Sequence, residues 1–128
     1  MSNYGYSKVV NRPFGEVVEK VKTELAKEGF GILTEIDVKA TLKKKLGVDY
    51  DDYVILGACN PPLAYQALEM EKEIGLLLPC NVVVYEHGGE VTVSAILPKV
   101  AMSTVQNPAL AEVAEAAEEK LKQAVDRV

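Results

Sequence analysis

Apolar residues recur along this chain at two spacings, and the switches between them mark its elements. Residues 3–10 alternate, with Tyr4, Tyr6 and Lys8 on one side and Ser7 and Val9 on the other, which predicts a strand. Pro13 suits the first turn of a helix, where its missing N–H costs nothing. Phe14, Val17, Val18, Val21 and Leu25 then fall at helical spacing, Glu16, Glu19, Lys20 and Lys27 take the wet side, and Gly29 ends the run. Residues 30–36 read as a second strand, with Phe30, Ile32, Thr34 and Ile36 alternating against Gly31, Leu33 and Glu35. Asp37 can cap the short helix that follows, whose Val38, Leu42 and Leu46 lie four apart before Gly47 closes it. The acidic stretch 49–52 reads as an exposed loop.

The second half repeats these devices. Residues 53–59 are apolar on both faces, as a central strand would be. Asn60 then caps a helix opened by Pro61 and Pro62, with Leu63, Ala67, Met70 and Ile74 as its inner stripe and Gly75 as its stop. Residues 76–79 bring the chain back in extended form to a strand at 81–86. His87-Gly88-Gly89-Glu90 makes a hairpin turn, because paired glycines accept positive φ. The return strand sends Val91, Val93, Ala95 and Leu97 inward and Thr92, Ser94 and Ile96 outward. A linker covers 98–106; Asn107-Pro108 then starts a long helix with the stripe Leu110, Ala114, Ala117, Leu121, Ala124 and Val128.

The order is therefore β-α-β-α-β-α-β-β-α in one domain, residues 1–128. It predicts an α+β two-layer sandwich: a mixed sheet of about five strands with helices mainly on one face. The other sheet face is left to solvent or to a dimer partner.

Composition narrows the functional classes. The 128 residues are 48% hydrophobic and 26% charged, an ordinary globular balance. A net charge of −5 and a pI near 4.9 repel phosphate backbones, so no nucleic-acid partner is expected; Lys43, Lys44 and Lys45, with Lys39 upstream, read as a solvated face. No apolar run approaches the roughly 18 residues of a membrane span, so no membrane partner is expected. The first residues lack the layout of a secretion signal. The expected location is cytoplasmic, where two cysteines are free thiols rather than a structural disulfide.

The residues able to carry chemistry are few. Cys59 leaves a strand just before Asn60, where a helix N-terminus can lower a thiol pKa; against this stands the commoner role of a small buried side chain, which outweighs it. Cys80 begins the next strand. If the two strands were parallel neighbours, the sulfurs would stand about 20 Å apart, beyond disulfide reach. They meet only if residues 76–79 carry the chain back first or the strands run antiparallel. The spacing between them also fits no common zinc pattern. Glu35 and Asp37 could share a proton or a metal, although capping explains Asp37 by itself. Asp49, Asp51 and Asp52 lack the spacing and closing Glu of a calcium loop. His87 is the single histidine and rides the hairpin. No phosphate-binding glycine loop and no dinucleotide fingerprint is present.

Three stretches carry a resemblance. FGILTEIDVKATLKKKLG (30–47), ILGACNPPLAYQALEMEKEIGLLLPCNVVVYE (55–86) and the hairpin strand through Leu97-Pro98 resemble the domain-of-unknown-function family numbered 302, most specifically in TEIDVKATLKKKLG, GACNP and LLPCNV. The resemblance implies a small α+β domain of bacteria and archaea, often standing alone and forming dimers. It implies no established reaction and names no catalytic residue. Asn60-Pro61 and the Pro79 region match recurring elements of that family; many members lack a thiol at Cys59, which weakens any mechanism needing both cysteines.

Three readings of function follow. The first is a small-ligand or metal-ion binding domain acting as a homodimer, its site drawn from Glu35, Asp37, Cys59, Asn60 and Cys80, with soft metals or thiol-reactive ligands suiting Cys59. No residue set is assigned as metal ligands, no cofactor is named, and whether the protein is an enzyme stays open. The second is a thiol-dependent enzyme or redox sensor using Cys59. The third is an interaction protein whose open sheet face or alanine-rich last helix meets a partner.

Overall fold

The structure, a computed structural model, describes residues 2–128. Five strands form one sheet in the order β1-β5-β4-β3-β2: β1 Gly5–Val10, β2 Gly31–Asp37, β3 Tyr53–Cys59, β4 Cys80–His87 and β5 Glu90–Ile96. The helices are α1 Phe14–Lys27, α2 Val38–Leu46, α3 Pro61–Met70, α4 Pro98–Ala101 and α5 Leu110–Asp126. The α+β sandwich read from the pattern is present.

The sheet is antiparallel at every pairing, not mixed. The cause lies after α3. The helix breaks at Glu71, and a 3₁₀ segment, Lys72–Leu77, folds the chain back to the end of β3 that it left, where the expectation was extended chain from 76. Ala58 consequently faces Cys80, and β4 runs back along β3. Residues 98–106, expected as a linker, are likewise helical: α4 followed by a 3₁₀ turn at Met102–Val105.

One sheet face is covered by α1 and α5. Val17, Val18, Val21 and Leu25 of α1 and Leu121, Ala124 and Val125 of α5 pack on Val54, Leu56, Val82, Val84, Val91 and Val93. A second cluster sits beyond the end of the sheet, where Ala67, Ile74 and Met102 meet Leu110, Val113 and Ala114 from the first half of α5. Met70, assigned to the inner stripe of α3, is instead 40% exposed because the helix ends there.

The two ends of the chain are tied together. Glu24 of α1 is buried yet receives the Arg127 guanidinium at 2.7 Å and the Lys20 and Lys27 ammonium groups at 2.8 and 3.1 Å. Those three cations hold its carboxyl down to about 2, the Arg127 bond contributing most. On β1, the Lys8 Nζ donates to the carbonyls of Asp126 and Val128, and the Tyr6 hydroxyl donates to the Asp126 carboxylate.

Strand β2 carries a bulge. Ile32 faces Ala58 and Thr34 faces Gly57, so Leu33 has no partner and stands 66% exposed. The alternation expected across this strand switches there: Thr34 and Ile36 fall on the uncovered sheet face, and Glu35 and Asp37, opposite Leu56 and Val54, fall on the helix side. Helix α2 has the expected Asp37 cap and Gly47 stop but buries no residue, and Leu46 is 70% exposed. No helix among the described residues is long and apolar enough to cross a membrane.

Candidate functional site

The five residues singled out from the sequence separate into two groups. Cys59, Asn60 and Cys80 come together where β3 ends and β4 begins. Glu35 and Asp37 do not join them. Asp37 pairs with Val54 while Cys59 pairs with Gly31, a separation of five strand residues, or about 17 Å. Glu35 binds the Lys22 ammonium at 2.7 Å, and this bond is the main cause of the raised Lys22 pKa. Asp37 accepts the Ala40 N–H at 2.9 Å as the α2 cap.

The helix start at Asn60 is already occupied by the protein itself. Asn60 accepts from the Leu63 N–H at 3.3 Å and donates to the Glu28 carbonyl at 3.2 Å, which locks α3 to the end of α1. The hollow beside it measures about 30 Å³ and is walled by Phe30, Leu63, Leu78 and Met102. That is space for a water, not for a metabolite. Burial pushes the Cys80 thiol up to about 11, with the nearby Cys59 adding to the shift. Both cysteines are free thiols. The antiparallel pairing thus brings the two thiols to one end of the sheet.

The other candidates are bound up in ion pairs. Asp49 and Asp52 pair with Lys43 and Lys39, and Asp51 lies 2.7 Å from His87 Nδ1 at the exposed hairpin. Among the described residues no three His, Cys, Asp or Glu side chains are grouped to hold a metal ion.

A larger feature lies on the uncovered sheet face. Register brings its side chains into rows. Tyr53, Tyr85, Thr92 and Val9 form one; Ile36, Ile55, Val83, Ser94 and Ser7 form the next; Thr34, Gly57 and Asn81 begin a third. None of these residues carries a charge at neutral pH. The face carries an open hollow of about 600 Å³, bordered by Tyr4, Ser7, Tyr53, Asn81, Tyr85 and Ser94. The Tyr53 and Tyr85 rings stack at 5.4 Å with 12° between their planes, and Tyr50 leans on Tyr53 at 6.3 Å. Burial first, then the phenols of Tyr50, Tyr85 and Tyr4, raise the Tyr53 pKa. On the floor, Ser7 and Ser94 share a hydrogen bond at 2.8 Å.

Glycine keeps this floor open. A Cβ at Gly5 would stand 2.8 Å from the Ser94 hydroxyl and 2.9 Å from that of Ser2. The sequence pattern gave the outward residues of β5 correctly and set Ser7 and Val9 of β1 together on one face. The missing signal was their sum: only with strand order known do the outward positions of the five strands add up to one surface, uncharged across these three rows and bordered by Glu90 and His87 at the hairpin end.

The family model described as Domain of unknown function DUF302 matches residues 6–128. A solved structure, the crystal structure of an uncharacterized conserved protein DUF302 from Bacillus stearothermophilus, is 32% identical in sequence; the match covers 98% of each chain with a TM-score of 0.92. No curated protein matches this chain.

Proposed function

The chain belongs to the DUF302 family, a domain of unknown function, and from that premise we propose that it is a small-molecule-binding domain whose site is the hollow on the open sheet face. The observation that carries this reading is that, among the described residues, no charged group points into the hollow: Lys8 on its border turns its ammonium to the opposite face. An antiparallel sheet face meant only for water alternates charged and polar residues outward, whereas this one presents tyrosine, aliphatic, hydroxyl and amide groups around a hollow. The hollow at Cys59 and Cys80 is too small for the same role.

A metal at Cys59 would find Cys80 beside it but no third ligand among the described residues, since the β2–β3 register holds Glu35 and Asp37 away. Thiol chemistry there would run through Cys59 without help from the single histidine, which sits at the far end of β4. The two free thiols fit a reducing cytoplasm, where we place the protein.

The test is ligand-observed NMR against a library of neutral metabolite-sized compounds, with Ser94→Arg filling the hollow. Hits that vanish in the variant support the site; hits that ignore it refute it.

A second reading, homodimerisation, is favoured by α2. Its apolar stripe is nowhere fully buried, Val38 and Leu42 being half-buried, and Leu33, Ile36, Leu46, Val48 and Tyr50 are all exposed nearby in the chain. Light scattering across concentration should show a dimer for the wild type and a monomer for Leu46→Glu. A wild-type monomer at every concentration removes this reading.

A further inference from the structure

Resting on the binding site just described, we propose that the hollow takes a neutral polyhydroxylated ring, the chemistry of an uncharged sugar. The first support is electrostatic. Among the described residues, Lys8 is the one cationic residue that borders the hollow, and its Nζ is turned to the other face, bonded at 2.9 Å to the carbonyls of both Asp126 and Val128. A phosphate or carboxylate entering here would lose its water and find no cation among the described residues in exchange.

The second support is the hydrogen-bonding inventory. The Ser7–Ser94 pair consumes one hydroxyl proton, which leaves the second proton and most of the lone pairs of both oxygens to a ligand. Thr92, Asn81 and the tyrosine hydroxyls add donors and acceptors around that pair. A purely apolar ligand would strip water from these groups without replacing it. A polyol replaces it hydroxyl for hydroxyl.

The third support is shape. A sugar ring presents C–H faces and O–H edges, and tyrosine presents an apolar ring with a polar tip. Tyrosine, serine, glycine and asparagine make up most of this lining, a composition that combines rigid contact area with adaptable hydrogen bonding. The volume of about 600 Å³ lies within the range of pockets that hold metabolites. A second copy of the chain is a poorer occupant. Five strands of six to eight residues cover about 24 Å by about 20–27 Å, or roughly 500–650 Å², against about 800 Å² per partner in a standard interface.

The experiment is saturation-transfer NMR and calorimetry on the full chain. The probes are a panel of pentoses, hexoses and disaccharides, glucose 6-phosphate beside glucose, and indole as a neutral ring without hydroxyls. At least one neutral sugar should bind, and its phosphorylated counterpart should bind about tenfold more weakly or not at all. Ser94→Ala should weaken the sugar about three- to tenfold while leaving the thermal midpoint in place. No sugar binding at tens of millimolar, equal binding of the phosphate, or indifference to Ser94→Ala overturns the proposal. Indole binding alone, lost in Ser94→Arg, would sink the sugar class and leave the hollow as a binding site. Silence from sugars and indole alike would count against both. A dimer that shields the hollow tyrosines from quencher would install a second copy as occupant and overturn the sugar.

Discussion

Gly57 lies mid-strand in β3, buried between β2 and β4, with its backbone outside the left-handed region, so replacing it by alanine is a question of space alone. The added Cβ would overlap Thr34 Oγ1, stand 2.8 Å from Pro79 Cγ and lie 3.5 Å from Thr34 Cβ. Carbon atoms prefer about 3.5–4.0 Å, so two neighbours must yield. Thr34 is on an edge strand but is β-branched and stiff, and the Pro79 ring cannot rotate away. Overpacking of this kind costs about 1–3 kcal/mol, against which the lower freedom of the unfolded alanine chain returns about 0.5–1 kcal/mol. The expected net loss for Gly57→Ala is about 1–2 kcal/mol. In urea, with a slope of about 1–3 kcal/mol/M, that moves the midpoint down by roughly 0.5–1 M. Thr34→Ala alone should cost less than about 0.5 kcal/mol, since the residue is exposed. Combined, the two should lose less than their sum by about 0.5–1 kcal/mol, because only the Pro79 contact remains. If Gly57→Ala matches or exceeds wild-type stability, or the two losses simply add, the steric account fails.

Asn60→Ala removes both the α3 cap and the bond to the Glu28 carbonyl and should cost about 1–3 kcal/mol by thermal unfolding, with Asn60→Asp, which keeps the cap, losing less. A loss no larger than that of an average surface change would contradict the role given to it. With its thiol pushed up to about 11, Cys80 should stay unmodified by iodoacetamide at pH 8 in the folded protein, while the unfolded chain is alkylated at both cysteines; peptide mapping decides. Glu24 has its pKa lowered from 4.5 to about 2, so its contribution to stability is complete above about 4.5 and is lost as pH falls through about 2. The stability advantage of wild type over Glu24→Gln should therefore shrink across that window, and a difference that is constant with pH would show that the carboxylate charge plays no part.

Much of the architecture was legible because local signals agreed with each other. The stripe Phe14 to Leu25, the caps at Asp37 and Asn60 and the Gly88-Gly89 turn all lie where the pattern put them. What stayed hidden was non-local. The 3₁₀ return at Lys72–Leu77 reversed β4 relative to β3 and brought Cys59 and Cys80 to one end, although nothing in their spacing announced it. The β2–β3 register set Glu35 and Asp37 away from Cys59, and the bulge at Leu33 turned Glu35 to Lys22 on the helix side, so the convergence of these groups beside Cys59 did not form. Asn60 was read correctly as a cap, but its second bond, to a carbonyl 32 positions earlier, consumed the polarity that had suggested a site.

Leu33 is, in the ladder, a surplus residue. Its neighbours Ile32 and Thr34 already pair with consecutive positions of β3, so removing it would leave Thr34 through Asp37 facing the directions they face now. A substitution nearby acts on one side chain; a deletion here would act on none but its own. Gains and losses of a single residue between related chains should therefore gather at this point of the strand, where chain length can drift while the surface beyond it stays unchanged.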